Sequence, residues 1–370
     1  MSNFNILVTG SNGFIGKNLI SHLEQIKNYS VIRFNRENSI DELLELINKA
    51  DFIVHLAGVN RPENISEFKT ENKGLTQVIC DLISFTKKNI PLIFVSSIQA
   101  TCKNPYGESK LAAELIVKKF AAKTGNSIHI YRLPGVFGKW CKPNYNSVVA
   151  TFCHNIASNL PIEVDSLSEL TLVYIDDVVS EFLEVIKNNK INITPCAVYP
   201  EYKITVKKLA EQLYKFRDSR ENFLLEEVGS GLIHALYSTY VSYLTPEKFS
   251  YLIPSNEDER GIFCELFKTK NTGQVSFFTA HPGESRGSHY HHSKTEKFII
   301  IKGKARFRFR NIINNEIHQA DVSSNELCVV DTVPGWAHNV TNIGDEDLIV
   351  VIWANEIFDI NHPDTIASEV

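Results

Sequence analysis

The stretch Gly283–Gly303 (GESRGSHYHHSKTEKFIIIKG) sets His289 two residues before His291 and Glu296 five residues further on. On a strand the two imidazoles share one face, Tyr290 takes the other, and Glu296 returns on the next strand. Downstream, Val333–Asn342 (VPGWAHNVTN) supplies His338. Three imidazoles and a carboxylate are a ligand set for a divalent first-row metal, zinc, manganese, iron or nickel, with room left for water or substrate. His292 should point away into solvent, and His318 reads as a surface residue.

A second constellation lies at the front of the chain. In VTGSNGFIG, Gly10, Gly13 and Gly16, with Asn12, Phe14 and Ile15 among them, follow an apolar run and open a helical pattern. Gly10 would make the tight turn, Gly13 would admit a pyrophosphate to the backbone, and Gly16 would let the helix pack close. The next apolar run ends Val31-Ile-Arg33-Phe-Asn35-Arg36, with no carboxylate until Glu37. A carboxylate there would bind a ribose 2′-hydroxyl, whereas Arg33 and Arg36 beside Asn35 suit a 2′-phosphate, so the expected cofactor is NADPH. The bland alternative is two solvated surface arginines.

Ser97 ends a later run, and Tyr106 and Lys110 follow four residues apart on one helix face. A lysine ammonium beside a phenol lowers the phenol's pKa and makes Tyr106 a usable general acid for a carbonyl that receives hydride. Ser97 would bond the same oxygen.

These residues need a frame. Strand patterns at Asn5–Val8, Val31–Phe34, Phe52–Leu56, Leu92–Ser96 and Ile128–Arg132 alternate with helical spacing at Gly16–Ile26, Ile40–Asn48, Thr76–Lys87 and Ser109–Lys123. Nearly all-apolar strands between helices predict an α/β doubly wound parallel sheet, continued less regularly through Tyr174–Ile186 and Val206–Phe216. Beyond Thr245-Pro246 the pattern becomes short strands: Phe263–Lys268, Gln274–Thr279, Glu296–Lys302, Ala305–Arg310, Glu326–Val330 and Leu348–Trp353. That predicts an all-β barrel or sandwich. The expected domains are residues 1–243, a connecting arm over 244–260, and 261–370.

Composition narrows the classes. Hydrophobic residues are 43% and charged residues 22%, which excludes a disordered chain. A net charge of −5 gives no field for a polyphosphate, so nucleic acid is not an expected partner. No apolar run is long enough to cross a bilayer, and the N-terminus has no signal-peptide pattern. Seven scattered cysteines without a CxxC read as reduced thiols of a cytoplasmic protein.

On Gly10/Gly13/Gly16, His55-Leu-Ala-Gly58, Asn72, Ser97, Tyr106, Lys110, Arg132-Leu-Pro and Tyr174-Ile-Asp-Asp177-Val, the first 243 residues resemble an extended short-chain dehydrogenase/reductase acting on nucleotide sugars. The resemblance implies a Rossmann fold, with Leu56, Ala57 and Gly58 by the cofactor riboses, Tyr106 and Lys110 also at the cofactor, and Asn146 at the nucleotide diphosphate. Two features depart from many relatives. Only eight residues separate Ser97 from Tyr106, and Gly135 stands where a substrate-binding asparagine is common. The two histidine segments resemble the signatures of a cupin barrel, although glycine directly follows Pro334.

The fusion of both halves resembles the bifunctional C3-epimerase/C4-reductases of the CapF/WbjC type, which serve N-acetyl-L-fucosamine synthesis for bacterial capsule or O-antigen. That resemblance implies a UDP-4-keto-deoxysugar substrate, UDP-2-acetamido-2,6-dideoxy-β-L-arabino-4-hexulose. The cupin inverts C3, and NADPH-dependent reduction at C4 then gives UDP-2-acetamido-2,6-dideoxy-β-L-talose. It also tips the metal to zinc. A C3 proton is acidic because C4 is a ketone, a metal at that carbonyl would stabilise the enolate, and reduction would make the inversion permanent. Tyr290, Lys297 and His318 are the candidate C3 bases. A homodimer is the default assembly. Two other readings remain: a reductase whose cupin is only structural or dimerising, and a non-catalytic NADPH-sensing regulator.

Overall fold

The computed structural model describes residues 3–165, 168–188 and 196–370. The chain divides into two compact units, Met1–Leu213 with His234–Thr245, and Tyr214–Ile233 with Pro246–Val370. The chain therefore leaves the first unit at Tyr214, earlier than the expected crossing near 245. It returns for one helix, then leaves again.

In the first unit, β1 (Phe4–Thr9), α1 (Phe14–Leu23), β2 (Tyr29–Phe34), α2 (Ile40–Lys49), β3 (Phe52–His55), α3 (Leu75–Thr86), β4 (Leu92–Ser97), α4 (Pro105–Thr124) and β5 (Ile128–Leu133) alternate as the apolar runs predict. All strand pairs are parallel, in the order β2-β1-β3-β4-β5. Ile6, Leu7 and Val8 are fully buried because helices cover both faces. One core gathers Ile6, Val8, Phe52 and Phe182, and the other gathers Leu7, Ile53, Ile83 and Val117. The strand order reverses between β1 and β3. Beyond the carboxyl ends of those two strands, such a sheet leaves a crevice for a ligand.

Capping sets the helix starts. Ser39 and Glu42 form a reciprocal capping box on α2. Asn104 caps α4 and Pro105 fills its first position, so the helix begins four residues before the expected Ser109 and carries Tyr106 in its first turn. The unit is completed by β6 (Gly135–Phe137), α5 (Val148–Ala157), β7 (Glu169–Tyr174), α6 (Ile175–Asn188), β8 (Tyr202–Thr205) and the start of α7 (Val206–Asn222). Strands β6, β7 and β8 form a small separate sheet.

The second unit is mostly β. It takes the end of α7, β9 (Leu224–Leu225) and the first residues of α8 (Gly231–Val241), whose remainder belongs to the first unit. The expected arm over 244–260 ends in a strand, β10 (Asn256–Asp258). Then come β11 (Gly261–Thr269), β12 (Gly273–Ala280), β13 (Ser285–Tyr290), β14 (Glu296–Lys302), β15 (Lys304–Asn311), β16 (Ile317–Ser323), β17 (Val329–Asp331), β18 (Trp336–Asn342), β19 (Leu348–Ala354) and β20 (Ile366–Ala367). One sheet runs β10-β11-β12-β19-β14-β17 with β9 paired on β11, and the other runs β16-β15-β18-β13-β20. Phe278, Phe298 and Ile352 of the first sheet pack with Phe307, Phe309 and Val340 of the second.

The expected strand over Glu326–Val330 is a correction: only Val329–Asp331 pairs, and Leu327 stands 87% exposed before it. Among the described residues no helix is long and apolar enough to cross a membrane.

Candidate functional site

The first unit holds a cleft of about 590 Å³ at the carboxyl ends of β1, β3 and β4. Gly10, Asn12, Gly13, Phe14, Ile15, Gly16, Leu56, Gly58, Ser97, Tyr106, Lys110 and Asn146 all line it, so most of the expected cofactor and catalytic residues converge. Gly10 sits at φ +67°, and a Cβ there would lie 2.8 Å from the Ala57 nitrogen, so this turn admits only glycine. Gly13 caps α1, whose free N–H groups favour an anion.

The residues meant to select the cofactor are placed differently. Asn35 Oδ1 accepts from Ser11 Oγ at 2.7 Å and from the Asn12 amide at 3.0 Å, so Asn35 fastens the glycine turn to the end of β2. Arg33 pairs with Glu24 at 2.5 Å, and Arg36 is exposed in the turn after β2. The Arg33–Glu24 pair is about half exposed. A pair of this kind contributes only about 0–1 kcal/mol, leaving Arg33 available to a stronger anion.

A buried chain of hydrogen bonds holds the Leu56–Gly58 loop. Thr76 Oγ1 donates to the Asn72 carbonyl at 2.7 Å, so it accepts from His55 Nε2 at 3.0 Å. The other ring nitrogen, Nδ1, then accepts from Thr9 Oγ1 at 2.8 Å, and that oxygen receives the Ala57 amide at 3.2 Å. Each bond in the chain is satisfied only with His55 neutral, and burial together with the Lys110 charge holds its pKa down at about 3. The unfolded chain would bind a proton near 6.5 where the native chain does not. Native stability should therefore fall as pH drops from 6.5 toward 3. Melting temperature against pH checks this, and His55→Asn should flatten the slope.

Tyr106 hydrogen-bonds Ser97, as the motif requires, but burial raises its pKa. This corrects the expectation of a phenol depressed by its lysine. Lys110 instead donates to the Val95 carbonyl at 3.1 Å, and its own pKa is held down at about 8 by complete burial, against the opposing pull of Glu114. Glu114 is clamped by Arg132 through two bonds of 2.8 and 2.7 Å.

Gly107, unmarked in the sequence reading, explains the short Ser97–Tyr106 loop. A Cβ on Gly107 would fall 2.1 Å from the Gln99 carbonyl and 2.7 Å from that of Cys102. Gly107→Ala should push the first turn of α4, and Tyr106 with it, off its position. The expected result is a drop of about 10²-fold in the turnover that depends on Tyr106, with little change in far-UV dichroism.

The second unit holds a cavity of about 360 Å³ lined by His289, Glu296 and His338. One ligand atom each from His289, His291, Glu296 and His338 lies within 4.8 Å of all the others. His289 and His338 are directly paired across β13 and β18. His291 Nδ1 donates to the Asp364 carbonyl, leaving Nε2 aimed at Glu296 Oε2 3.3 Å away. His338 Nδ1 donates to the Trp336 carbonyl at 3.2 Å, and its buried Nε2 has no hydrogen-bond partner. Lone pairs and a carboxylate thus face one point, an arrangement that a cation completes. Burial and the two neighbouring imidazoles hold the His289 pKa down at about 4, and the adjacent His291, His338 and Lys294 hold the Glu296 carboxyl far below its usual range against the opposing effect of burial. These residues fit a metal.

Asp364 is a residue that no spacing pointed to. Its carboxylate accepts the amides of His292, Ser293 and Lys294 at 2.7–2.8 Å and pins the loop behind His291. The expected C3 bases lie off the cavity. Tyr290 meets the exposed His292 edge-on, Lys297 pairs with Asp331, and exposed His318 lies against Phe309. Alternation along a strand accounts for Tyr290 and Lys297, which follow ligands and so face outward.

Residues 6–195 match the NAD dependent epimerase/dehydratase family, and residues 256–366 match the polysaccharide biosynthesis C-terminal domain. The chain belongs to the NAD-dependent epimerase/dehydratase family. It is 52% identical, over 99% of its length and 98% of the relative's, to a UDP-2-acetamido-2,6-beta-L-arabino-hexul-4-ose reductase of Pseudomonas aeruginosa. The crystal structure of the capsular polysaccharide assembling protein CapF from Staphylococcus aureus superposes with a TM-score of 0.93 at 44% identity, covering 99% of this chain and all of that one. A UDP-glucuronic acid 4-epimerase from Bacillus cereus, solved with NAD, shares only the fold of this family, with a TM-score of 0.56 at 18% identity over 65% of this chain and 98% of that one.

Proposed function

We propose that this chain is a bifunctional nucleotide-sugar enzyme: a UDP-4-ketosugar reductase whose second unit, a zinc cupin, first inverts C3. The substrate is UDP-2-acetamido-2,6-dideoxy-β-L-arabino-4-hexulose and the product UDP-2-acetamido-2,6-dideoxy-β-L-talose, a step toward UDP-N-acetyl-L-fucosamine for capsule or O-antigen. One observation carries the reading. The same chain holds a glycine-turn cleft with Ser97, Tyr106 and Lys110 and a buried group of three imidazoles and a carboxylate. The reductase half rests further on the full-length relative that acts as a 4-ketosugar reductase.

In the first unit the glycine turn and the start of α1 hold the cofactor's pyrophosphate. Leu56 and Gly58 border its riboses, and Asn146, exposed on the cleft wall, reaches the nucleotide diphosphate. The cofactor is NADPH, since Asn35 stands where a 2′-hydroxyl would need a carboxylate, while Arg33 and Arg36 offer charge to a 2′-phosphate. Tyr106, bonded to Ser97, delivers a proton to the C4 oxygen, and Lys110 supplies positive charge beside it. In the second unit His289, His291, Glu296 and His338 hold the metal, and Asp364 fixes the loop that carries His291. When bound, NADPH supplies hydride and zinc supplies Lewis-acid polarisation of the C4 carbonyl, which acidifies the C3 proton. Reduction removes the ketone, so the inverted centre can no longer equilibrate.

Incubation of the 4-ketosugar with NADPH or NADH, followed by assignment of the product's C3 and C4 configuration, tests the reading. A talose-configured product formed preferentially with NADPH supports it. A product that retains the C3 configuration contradicts the epimerase half.

A further inference from the structure

Besides the metal-ligand group, the cavity of the second unit is lined by two arginines, Arg260 and Arg286, that the chemistry above does not use. Both lean on one carboxylate. Asp258 Oδ2 accepts from Arg260 Nε and Nη2 at 3.2 and 2.6 Å, and Asp258 Oδ1 accepts from Arg286 Nη2 at 3.2 Å. Arg286 Nε donates to the Thr279 carbonyl at 2.9 Å, and its guanidinium lies over the Phe278 ring, 5.5 Å from the centroid.

Two guanidinium groups share the one carboxylate they hydrogen-bond, with Glu259 and Glu284 nearby. These bonds leave Nη1 of both side chains without a protein partner among the described residues. The Arg286 side chain is only 12% exposed, so its free N–H groups are not spent on bulk water. Burying a cation is costly unless something repays it, and a half-satisfied fork aimed into a cavity is repaid by an anion. Arg286 sits three residues before the metal-group His289 on β13, and the apolar Phe278 and Phe298 line the space with them. A β-bulge between Gly287 and His289 sets the two opposite Val340 and His338, two residues apart on β18, so the separation is roughly 7 Å along the strand, about the span from a sugar's reacting carbons to its diphosphate.

We infer that Arg260 and Arg286 form a diphosphate subsite, through which the second unit holds its UDP-sugar with the ketose toward the histidines. The inference rests on the epimerase reading above. Asp258 presets the two forks, and the phosphates take the N–H groups it leaves free.

The test is C3–H exchange of the 4-ketosugar in D2O without NADPH, on the full chain, with zinc content measured alongside. Arg260→Gln and Arg286→Gln should each raise the KM of exchange by about 10- to 100-fold with kcat changed less than about threefold. The variants should keep their zinc, and Arg286→Lys should recover part of the loss. Free UDP should inhibit exchange by the variants correspondingly less well. NADPH-dependent reduction of the C3-inverted ketosugar should keep its wild-type KM, since that step belongs to the other unit.

Wild-type KM for exchange in both glutamine variants, with zinc retained, would overturn the subsite. So would a loss confined to kcat. The half-exposed Arg260 keeps the test open should Arg286→Gln disturb folding. No exchange by the wild-type enzyme would instead bring down the epimerase reading, and the subsite with it.

Discussion

Tyr106→Phe should lower kcat for NADPH-dependent reduction by about 10²–10⁴-fold, equivalent to roughly 3–5 kcal/mol in the barrier, while C3–H exchange continues at its wild-type rate. In the proposed reaction the phenol is the acid for the C4 oxygen: it lines the cleft and bonds Ser97, while Lys110, one helical turn on, is committed to the Val95 carbonyl. Burial raises the phenol's pKa, so it stays protonated through the neutral range and is loaded as an acid before hydride arrives. Removing one oxygen leaves ring packing against Phe68 intact, and cofactor affinity should change little. Stopped-flow reduction with tritium or deuterium exchange measured in parallel separates the two activities. Equal loss of both would contradict the assignment of Tyr106 to one unit's chemistry.

The second large effect concerns the metal. Prolonged chelation, or His338→Ala, should take C3–H exchange to background and leave reduction of the C3-inverted ketosugar intact. His338 Nε2 is buried without a hydrogen-bond partner, 3.6 Å from Glu296 Oε2, and so is placed to take a metal. His338→Ala removes one of four converging ligands and should lower zinc content in step with exchange. Asp364→Asn is a milder probe. It weakens the carboxylate that holds three successive amides behind His291 and should reduce metal affinity by about 10- to 100-fold. Exchange that survives complete metal removal would leave the cluster a structural feature.

The parallel sheet was legible because its strands are buried on both faces and read as unbroken apolar runs, as in Ile6-Leu7-Val8. The glycine turn and the Ser97/Tyr106/Lys110 set were legible because their chemistry depends on spacing along one strand end or one helix face. The four converging side chains His289, His291, Glu296 and His338 were legible from the spacing of their two segments. Strands β16 and β18 were not, since IHQADVS and WAHNVTN carry polar residues where a strand pattern expects apolar ones. β18 is polar where it lines the cavity, so the site hid an element that holds it.

Long-range partners were equally hidden. Nothing near Arg33 in sequence announces Glu24 as its partner, and no motif marks Asn35 as the fastener of Ser11 and Asn12. Of the C3-base candidates, Tyr290 and Lys297 directly follow ligand positions, and alternation along the strand turns them outward. Segment Tyr214–Ile233 joined the second unit through tertiary pairing, with Leu224 and Leu225 alongside Lys268 and Thr269, a contact no local pattern encodes.

The central claim is that one chain performs two reactions in a fixed order. Proton NMR of the 4-ketosugar in D2O with the purified protein, first without NADPH and then with it, tests that claim most directly. The account predicts deuterium at C3 before NADPH is added and a talose-configured product afterwards. Reduction with no prior exchange and a retained C3 configuration would contradict it.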